Sequence, residues 1–165
     1  MLNRILTHEQ IQHKVKRIAY QIYEANVNEK EIIVAGIDGG GLNLAKKITT
    51  TLRKITEAQI VLCSLKMDKK DPLKSGVSTS ISEDAYKNKS IVLVDDVLNS
   101  GTTLIYGVHH FLKTPIKQLK TAVLVNRNHK KYPIKADYKG ISLSTSLNEH
   151  IRVEFEAKNN AVYLE

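Results

Sequence analysis

Two adjacent carboxylates, Asp95 and Asp96, close the apolar run Ile91-Val92-Leu93-Val94, and a short turn of small hydroxylated residues around one glycine follows, Asn99-Ser100-Gly101-Thr102-Thr103. An apolar-periodic segment then resumes. Read as strand, acidic pair, turn and helix, this stretch sets polar groups outside the carboxyl end of a strand, where open α/β sheets bind their ligands. Backbone N–H groups and hydroxyls of residues 99–103 at a helix N-terminus suit a phosphate dianion. The acidic pair stands too close to that phosphate to be its ligand, and suits ribose hydroxyls or a Mg²⁺ ion held through water. Three readings stay open on these residues. The carboxylates could cap a helix or pair with surface lysines. A receiver-like phosphoacceptor domain also gathers acids at strand ends, with Asp38 as its acceptor, although no lysine directly ends the strand at Val125. A sugar phosphate across the turn uses every residue type in the stretch.

A second turn of the same kind follows the apolar run Ile32–Ile37, where Asp38-Gly39-Gly40-Gly41 precedes a helical period through Leu44, Ala45, Ile48, Leu52 and Ile55. Glycines there let the backbone approach a ligand closely. The spacing matches neither a dinucleotide-binding G-x-G-x-x-G nor a Gly-Lys-Ser/Thr phosphate loop. No His, Cys and Asp grouping has metal-ligand spacing. His109 and His110 fall on the helix after the acidic motif, as surface or core imidazoles. His129 lies in a basic loop, and His150 precedes the last hairpin, where it could line a site. Cys63 sits in an apolar run as a core thiol.

The elements that must carry these loops are readable from periodicity. Thr7 and Gln10 fit a capping box with Leu6 and Ile11 as its staple, opening an amphipathic helix through Ile11, Val15, Ile18, Ala19 and Ile22 that ends near Ala25. Strands are expected at Ile32–Ile37, Gln59–Leu65, Ile91–Val94 and Lys120–Val125. A helix is expected from Leu104 to Lys113. Strand and helix alternate, which argues for a mainly parallel sheet flanked by helices. Lys66–Lys89 is a long polar stretch, expected to be part hairpin and part mobile lid. Asn126–Lys135 reads as a basic loop. Ile151, Val153 and Phe155 alternate with charged residues as one arm of a terminal hairpin whose other arm is Ala161–Leu164.

At 165 residues the chain is expected to be one domain, 1–165, with a real core. Its 25 Lys+Arg against 17 Asp+Glu give a net charge of +8, which favours anionic ligands or nucleic acid. No stretch has the length of a membrane span, and the expected location is the cytoplasm.

VLVDDVLNSGTT resembles the phosphoribosyl-pyrophosphate (PRPP) motif of type I phosphoribosyltransferases. RILTHEQIQHKVKRIAYQIYEAN, AGIDGGGLNLAKKI and AVLVNRNHKKYPIKADYKGISLST are similar to the PyrR branch, the bifunctional pyrimidine-operon attenuators and uracil phosphoribosyltransferases. The resemblance implies a three-layer α/β fold with a small C-terminal hood, transfer of the phosphoribosyl group from PRPP to a nucleobase (uracil or a purine), Mg²⁺ as cofactor, and a homodimer. It assigns Asp95 and Asp96 to the ribose hydroxyls and Mg²⁺, and Asn99, Ser100, Gly101, Thr102 and Thr103 to the 5′-phosphate. Asp38, Gly39 and Gly40 go to pyrophosphate, and Arg127, Lys135, Asp137, Tyr138, His150 and Ile151 to the base. The competing function it allows is a nucleotide-sensing, RNA-binding regulator. Three positions depart from the family. Asn99 stands where purine-using relatives carry a carboxylate and PyrR relatives a tyrosine, and it cannot accept a proton at neutral pH. Thr102 replaces a common Arg or Lys. Asp38-Gly39-Gly40 replaces a Thr-Arg pair, which removes a cation from the pyrophosphate loop.

Overall fold

The computed structural model describes residues 2–127 and 129–165. The capping box forms as expected: Thr7 N–H donates to Gln10 Oε1 at 2.9 Å and Gln10 N–H to Thr7 Oγ1 at 3.3 Å. It starts helix α1, His8–Ala25, and Leu6 and Ile11 are both buried beside it in one core cluster. Strand β2, Glu31–Ile37, then leads into helix α2, Gly40–Ile55, and strand β3, Gln59–Lys66. Further on come β5, Ser90–Leu98, helix α5, Thr102–Phe111, and β6, Gln118–Arg127.

These strands are buried on both faces, so their residues sort by alternation and not by polarity. Ile32, Val34, Val92 and Val94 join α1 and α2 in one core, while Ile33, Ala35, Ile91 and Leu93 join Phe111 of α5 in the other. The sheet order is β4-β3-β2-β5-β6-β7, with β7 being Tyr138–Leu143 and β4 the short Ser78–Thr79. All pairings are parallel except β3 with β4. Both glycine turns therefore emerge at the same edge, from the adjacent strands β2 and β5.

A second sheet, β1-β9-β8, forms the hood from Asn3–Leu6, Ala161–Leu164 and Ile151–Glu154. The terminal hairpin is present. Residues 3–6 form its outer strand, which four residues without clear alternation did not announce. Its inner face closes on the α1 side of the main sheet through Leu6, Val153 and Val162.

Several boundaries differ from expectation. β5 does not end at Val94 but runs through the acidic pair to Leu98, because Asp95 is in register with Val123 and Val97 with Val125. β6 likewise extends through Asn126 and Arg127, which belong to a strand and not to a loop. The segment Lys66–Lys89 divides. Ser78–Thr79 pairs with Leu65 and Lys66, giving the expected hairpin. Its last part is anchored, since short helix α4, Glu83–Tyr86, buries Tyr86 edge-on against Phe111 with ring centroids 5.0 Å apart. Between β3 and β4, residues 67–77 hold short helix α3, Pro72–Ser75, with Pro72 buried and Leu73 exposed at its tip. Among the described residues no helix is long and apolar enough to cross a membrane.

Candidate active site

Asp95 and Asp96 sit side by side in β5 but face different neighbours, because successive strand residues point to opposite faces. Asp95 is buried. Its Oδ2 accepts from the Thr103 hydroxyl at 2.7 Å, and its Oδ1 from the Asp96 N–H at 2.9 Å. Burial first, then the Asp96 charge, push its carboxyl up to about 7, against smaller opposing pulls from Thr103 and Lys69. The folded value lies above the ordinary 3.8, so folding favours the protonated form. The stability it contributes is full below about pH 4 and is lost as pH rises through about 7. Asp95→Asn, in the presence of a chelator, is expected to raise the thermal midpoint over the parent at pH 8, with the gap narrowing at pH 5; equal gaps would mean that Asp95 titrates normally.

Asp96 is the more open carboxylate, and it points at the second turn. Gly39 has φ +97° and caps α2 without a side-chain bond, so the first N–H groups of that helix are left for a ligand. A Cβ on Gly40 would strike Asp96 Oδ2, and one on Gly41 would lie 3.0 Å from Asp95 Oδ1. Only glycine lets the α2 N-terminus close onto the acidic pair. Gly40→Ala is accordingly expected to weaken PRPP binding by roughly tenfold or more, since about 1.4 kcal/mol of displacement at the junction suffices. Calorimetric titration with PRPP checks this, and unchanged affinity would show that the two turns need not touch.

The 99–103 turn is held from behind. Gly101 adopts φ +87°, a left-handed conformation that caps α5, and a Cβ there would collide with Ile134. Ser100 C=O accepts from Lys131 N–H at 2.7 Å and Tyr132 N–H at 3.2 Å, while Ser100 Oγ and Thr102 Oγ1 are 2.8 Å apart. The basic loop thus buttresses the phosphate turn, a role that charge alone did not suggest.

The residues assigned to the base divide sharply. Arg127 is buried and does not face a ligand; its guanidinium is consumed within the protein. Nε donates to Thr145 Oγ1 at 2.5 Å, Nη1 to Asn99 Oδ1 at 3.1 Å, and Nη2 to the carbonyls of Ser146 at 2.8 Å and Glu149 at 2.5 Å. It ties the phosphate turn to the segment leading into the hood. Lys135 and Asp137 precede β7 and Tyr138 opens it, level through β6 with Val94, the residue before the acidic pair. Asp137 Oδ2 accepts from Thr121 N–H at 2.9 Å, and Lys135 Nζ pairs with Asp137 Oδ1 at 3.8 Å. Tyr138 is in register with Ala122 and packs in the α1-side core, where burial raises its hydroxyl pKa. Asp137 and Tyr138 thus have partners within the protein, while the Lys135 side chain stays exposed. His150 and Ile151 do stand in the hood beside β5: His150 exchanges two backbone hydrogen bonds of 2.9 Å with Glu165, and Ile151 opens β8. His110, as expected, is a core-side imidazole, with its pKa lowered chiefly by burial.

Two residues that sequence reasoning passed over belong to this edge. Lys69 Nζ lies 3.3 Å from the point a Gly39 Cβ would occupy, and its charge reaches Asp95. A cation thus stands at the Asp38–Gly41 turn, supplied from the segment after β3 and not from the turn itself. Asn126, between Leu98 and Ser142 at the carboxyl end of β6, is buried with Oδ1 unpartnered. The sequence signal for each was present only as a lysine in a polar stretch and an asparagine ending an apolar strand.

A model of the phosphoribosyl transferase domain matches residues 1–159. The chain belongs to the phosphoribosyltransferase family. Within it the PyrR branch is the one it joins: it is 30% identical over 162 residues to the bifunctional protein PyrR of Haemophilus ducreyi, covering 92% of this chain and 89% of that protein. The PyrR of Streptococcus agalactiae is 36% identical over 143 residues, covering 85% and 82%. Solved phosphoribosyltransferases share the fold. A hypoxanthine-guanine phosphoribosyltransferase from Bacillus anthracis superposes with a TM-score of 0.71 at 24% identity, covering 86% of this chain and 82% of that one. The hypoxanthine phosphoribosyltransferase of Trypanosoma cruzi gives 0.77 at 15% identity, covering 97% and 95%. For a phosphoribosyltransferase, Asp96 fits Mg²⁺ in the way this ion is usually held, through one or two carboxylates with substrate oxygens completing the shell. Among the described residues no cluster of three or more His, Cys, Asp or Glu could hold a metal without such help.

Proposed function

We propose that this PyrR-type phosphoribosyltransferase moves the 5-phosphoribosyl group of PRPP to a lactam-bearing nucleobase, uracil or a 6-oxopurine, through the site at the carboxyl ends of β2, β5 and β6. The observation that carries this is the meeting of Gly40 with Asp96, which joins the two turns into one cradle for both ends of PRPP. Residues 99–103 take the 5′-phosphate on the N-terminus of α5. Asp96 takes the ribose hydroxyls and Mg²⁺, with Asp95 behind it as a positioning residue on Thr103. The α2 N-terminus and Lys69 take pyrophosphate. Mg²⁺ supplies charge neutralisation on the diphosphate when bound. As the C1′–O bond to pyrophosphate breaks, positive character develops at C1′ and negative charge on the leaving group, and the base nitrogen forms the new bond while the base proton leaves to the departing pyrophosphate. Lys69 and the helix N–H groups stabilise the leaving charge, the term that matters most in a water-poor site.

Asn99 has its oxygen on Arg127, so position 99 holds the turn in place instead of moving a proton. The unpartnered Asn126 Oδ1 gives the base N–H an acceptor, with His150 and Ile151 of the hood closing over the ring. Residues 67–77 form the lid. Packing of the hood on the α1 core supports all 165 residues acting as one domain, and the family resemblance supports a homodimer in the cytoplasm.

Lys69→Ala is expected to raise the KM for PRPP by roughly tenfold to a hundredfold, as loss of a charge-assisted contact worth roughly 1.5–3 kcal/mol requires. Steady-state pyrophosphate release tests it. A KM within twofold of the parent would place the pyrophosphate elsewhere.

A further inference from the structure

On the outer side of α1 and α2, away from the active site, the two helices and the turn before β9 enclose a groove of about 520 Å³. No residue of either glycine turn lines it. Its floor is apolar, from Ile11, Val15 and Ile55, and its walls are basic, with Lys16 on α1 and Lys47 and Lys54 on α2. Among the described residues no Asp or Glu lines it, and none of the three lysines is in an ion pair. Three uncompensated ammonium groups over an apolar floor suit an anion with a flat apolar body.

Asn160 and His8 close one end of the groove. Asn160 is 2% exposed there, and its Oδ1 has no hydrogen-bond partner. Its backbone N–H donates to His8 Nδ1 at 3.1 Å, which leaves the neutral His8 ring its proton on Nε2. A buried acceptor without a donor is costly, and such an orphan calls for a ligand N–H. Lys47 Nζ stands at this end too, 5.7 Å over the Phe155 ring. Lys16 lies roughly 12 Å further along α1 than His8, at a rise of about 1.5 Å per residue. Lys54 lies roughly 10 Å beyond Lys47 along α2, by the same rise.

We propose that this groove is a second ligand site, for a nucleoside phosphate. The base sits at the Asn160 end, where Oδ1 accepts a base N–H and His8 Nε2–H donates to a base acceptor. The phosphates lie between Lys16 and Lys54, and the apolar floor carries the ring face. The site is separate from the PRPP cradle and stands whether or not that cradle is catalytic.

Calorimetric titration of the full chain with ATP, GTP and UTP, under saturating PRPP and Mg²⁺ so that the active site is filled, tests this. At least one nucleotide is expected to saturate at one site per chain. Lys16→Glu with Lys54→Glu is expected to weaken it tenfold or more, leaving PRPP affinity unchanged; Lys54→Glu alone serves if the double variant does not fold. Tripolyphosphate, which has no base, is expected to bind at least tenfold more weakly than that nucleotide. The proposal is overturned if no nucleotide saturates, if the lysine changes leave affinity unaltered, or if tripolyphosphate binds as tightly. Capture of a single-stranded oligoribonucleotide, or self-association, through these lysines without nucleotide binding overturns it equally.

Discussion

Asp96→Asn is expected to lower kcat/KM for pyrophosphate release by roughly a hundredfold or more, the scale of losing one group aimed at transition-state charge, while the circular dichroism spectrum stays that of the parent. Asp96 is the carboxylate that faces the α2 turn, and it is open to ligand, whereas its neighbour is buried against Thr103. Asparagine keeps the volume beside Gly40 and can still accept the Val97 N–H that Asp96 Oδ1 takes at 2.9 Å. The change therefore removes a charge and little else, so folding is expected to survive it. Ribose hydroxyls and Mg²⁺ both reward that charge. The same substitution at Asp95 is expected to cost much less activity, because an amide there can keep its place beside Thr103. Equal losses at both positions would contradict the division of roles between them.

Arg127→Ala is expected to cost about 3–5 kcal/mol of stability, since it strips the donor from four acceptors at roughly 1 kcal/mol or more each. At about 2–4 °C per kcal/mol for a chain of this size, the thermal midpoint falls by roughly 10 °C. Alanine leaves Asn99 Oδ1, Thr145 Oγ1 and the carbonyls of Ser146 and Glu149 without their donors, in a place where water cannot replace all of them. Lysine does not restore it, since one ammonium on a flexible stem cannot fork to acceptors in separate directions. Activity is expected to fall beyond what the lost stability explains, because Asn99 opens the phosphate turn. Thermal melts and PRPP titrations of the two variants decide this. A midpoint within about 2 °C of the parent would mean that the network contributes less than 1 kcal/mol.

Much of the fold was legible because its elements follow local rules. The Thr7–Gln10 box, the helical spacing from Ile11 to Ile22 and the apolar runs of β2, β3, β5 and β6 each specify themselves within a dozen residues. The two glycine turns were legible for the same reason. What escaped notice was whatever depends on partners distant in sequence. β1 becomes a strand only by pairing with β9 at the other end of the chain. Arg127 reads as a ligand-facing cation until Thr145 and Glu149 return to enclose it. Asp137 and Tyr138 read as a polar hood until the parallel register of β7 sets them beside Thr121 and Ala122 of β6. Lys69 shows the converse. The Asp38–Gly41 turn carries no cation of its own, yet a residue beyond the next strand sets one on Gly39.

The proposed reaction turns on whether a base can reach PRPP seated on β5 and its turn. The most direct measurement is pyrophosphate release from PRPP and Mg²⁺ with uracil, hypoxanthine, guanine, xanthine and adenine in turn. Turnover with uracil or a 6-oxopurine, lost in Asp96→Asn, is the predicted result. No release with any of the five bases, from a protein that binds PRPP, would contradict the account and leave the cradle as a sensor.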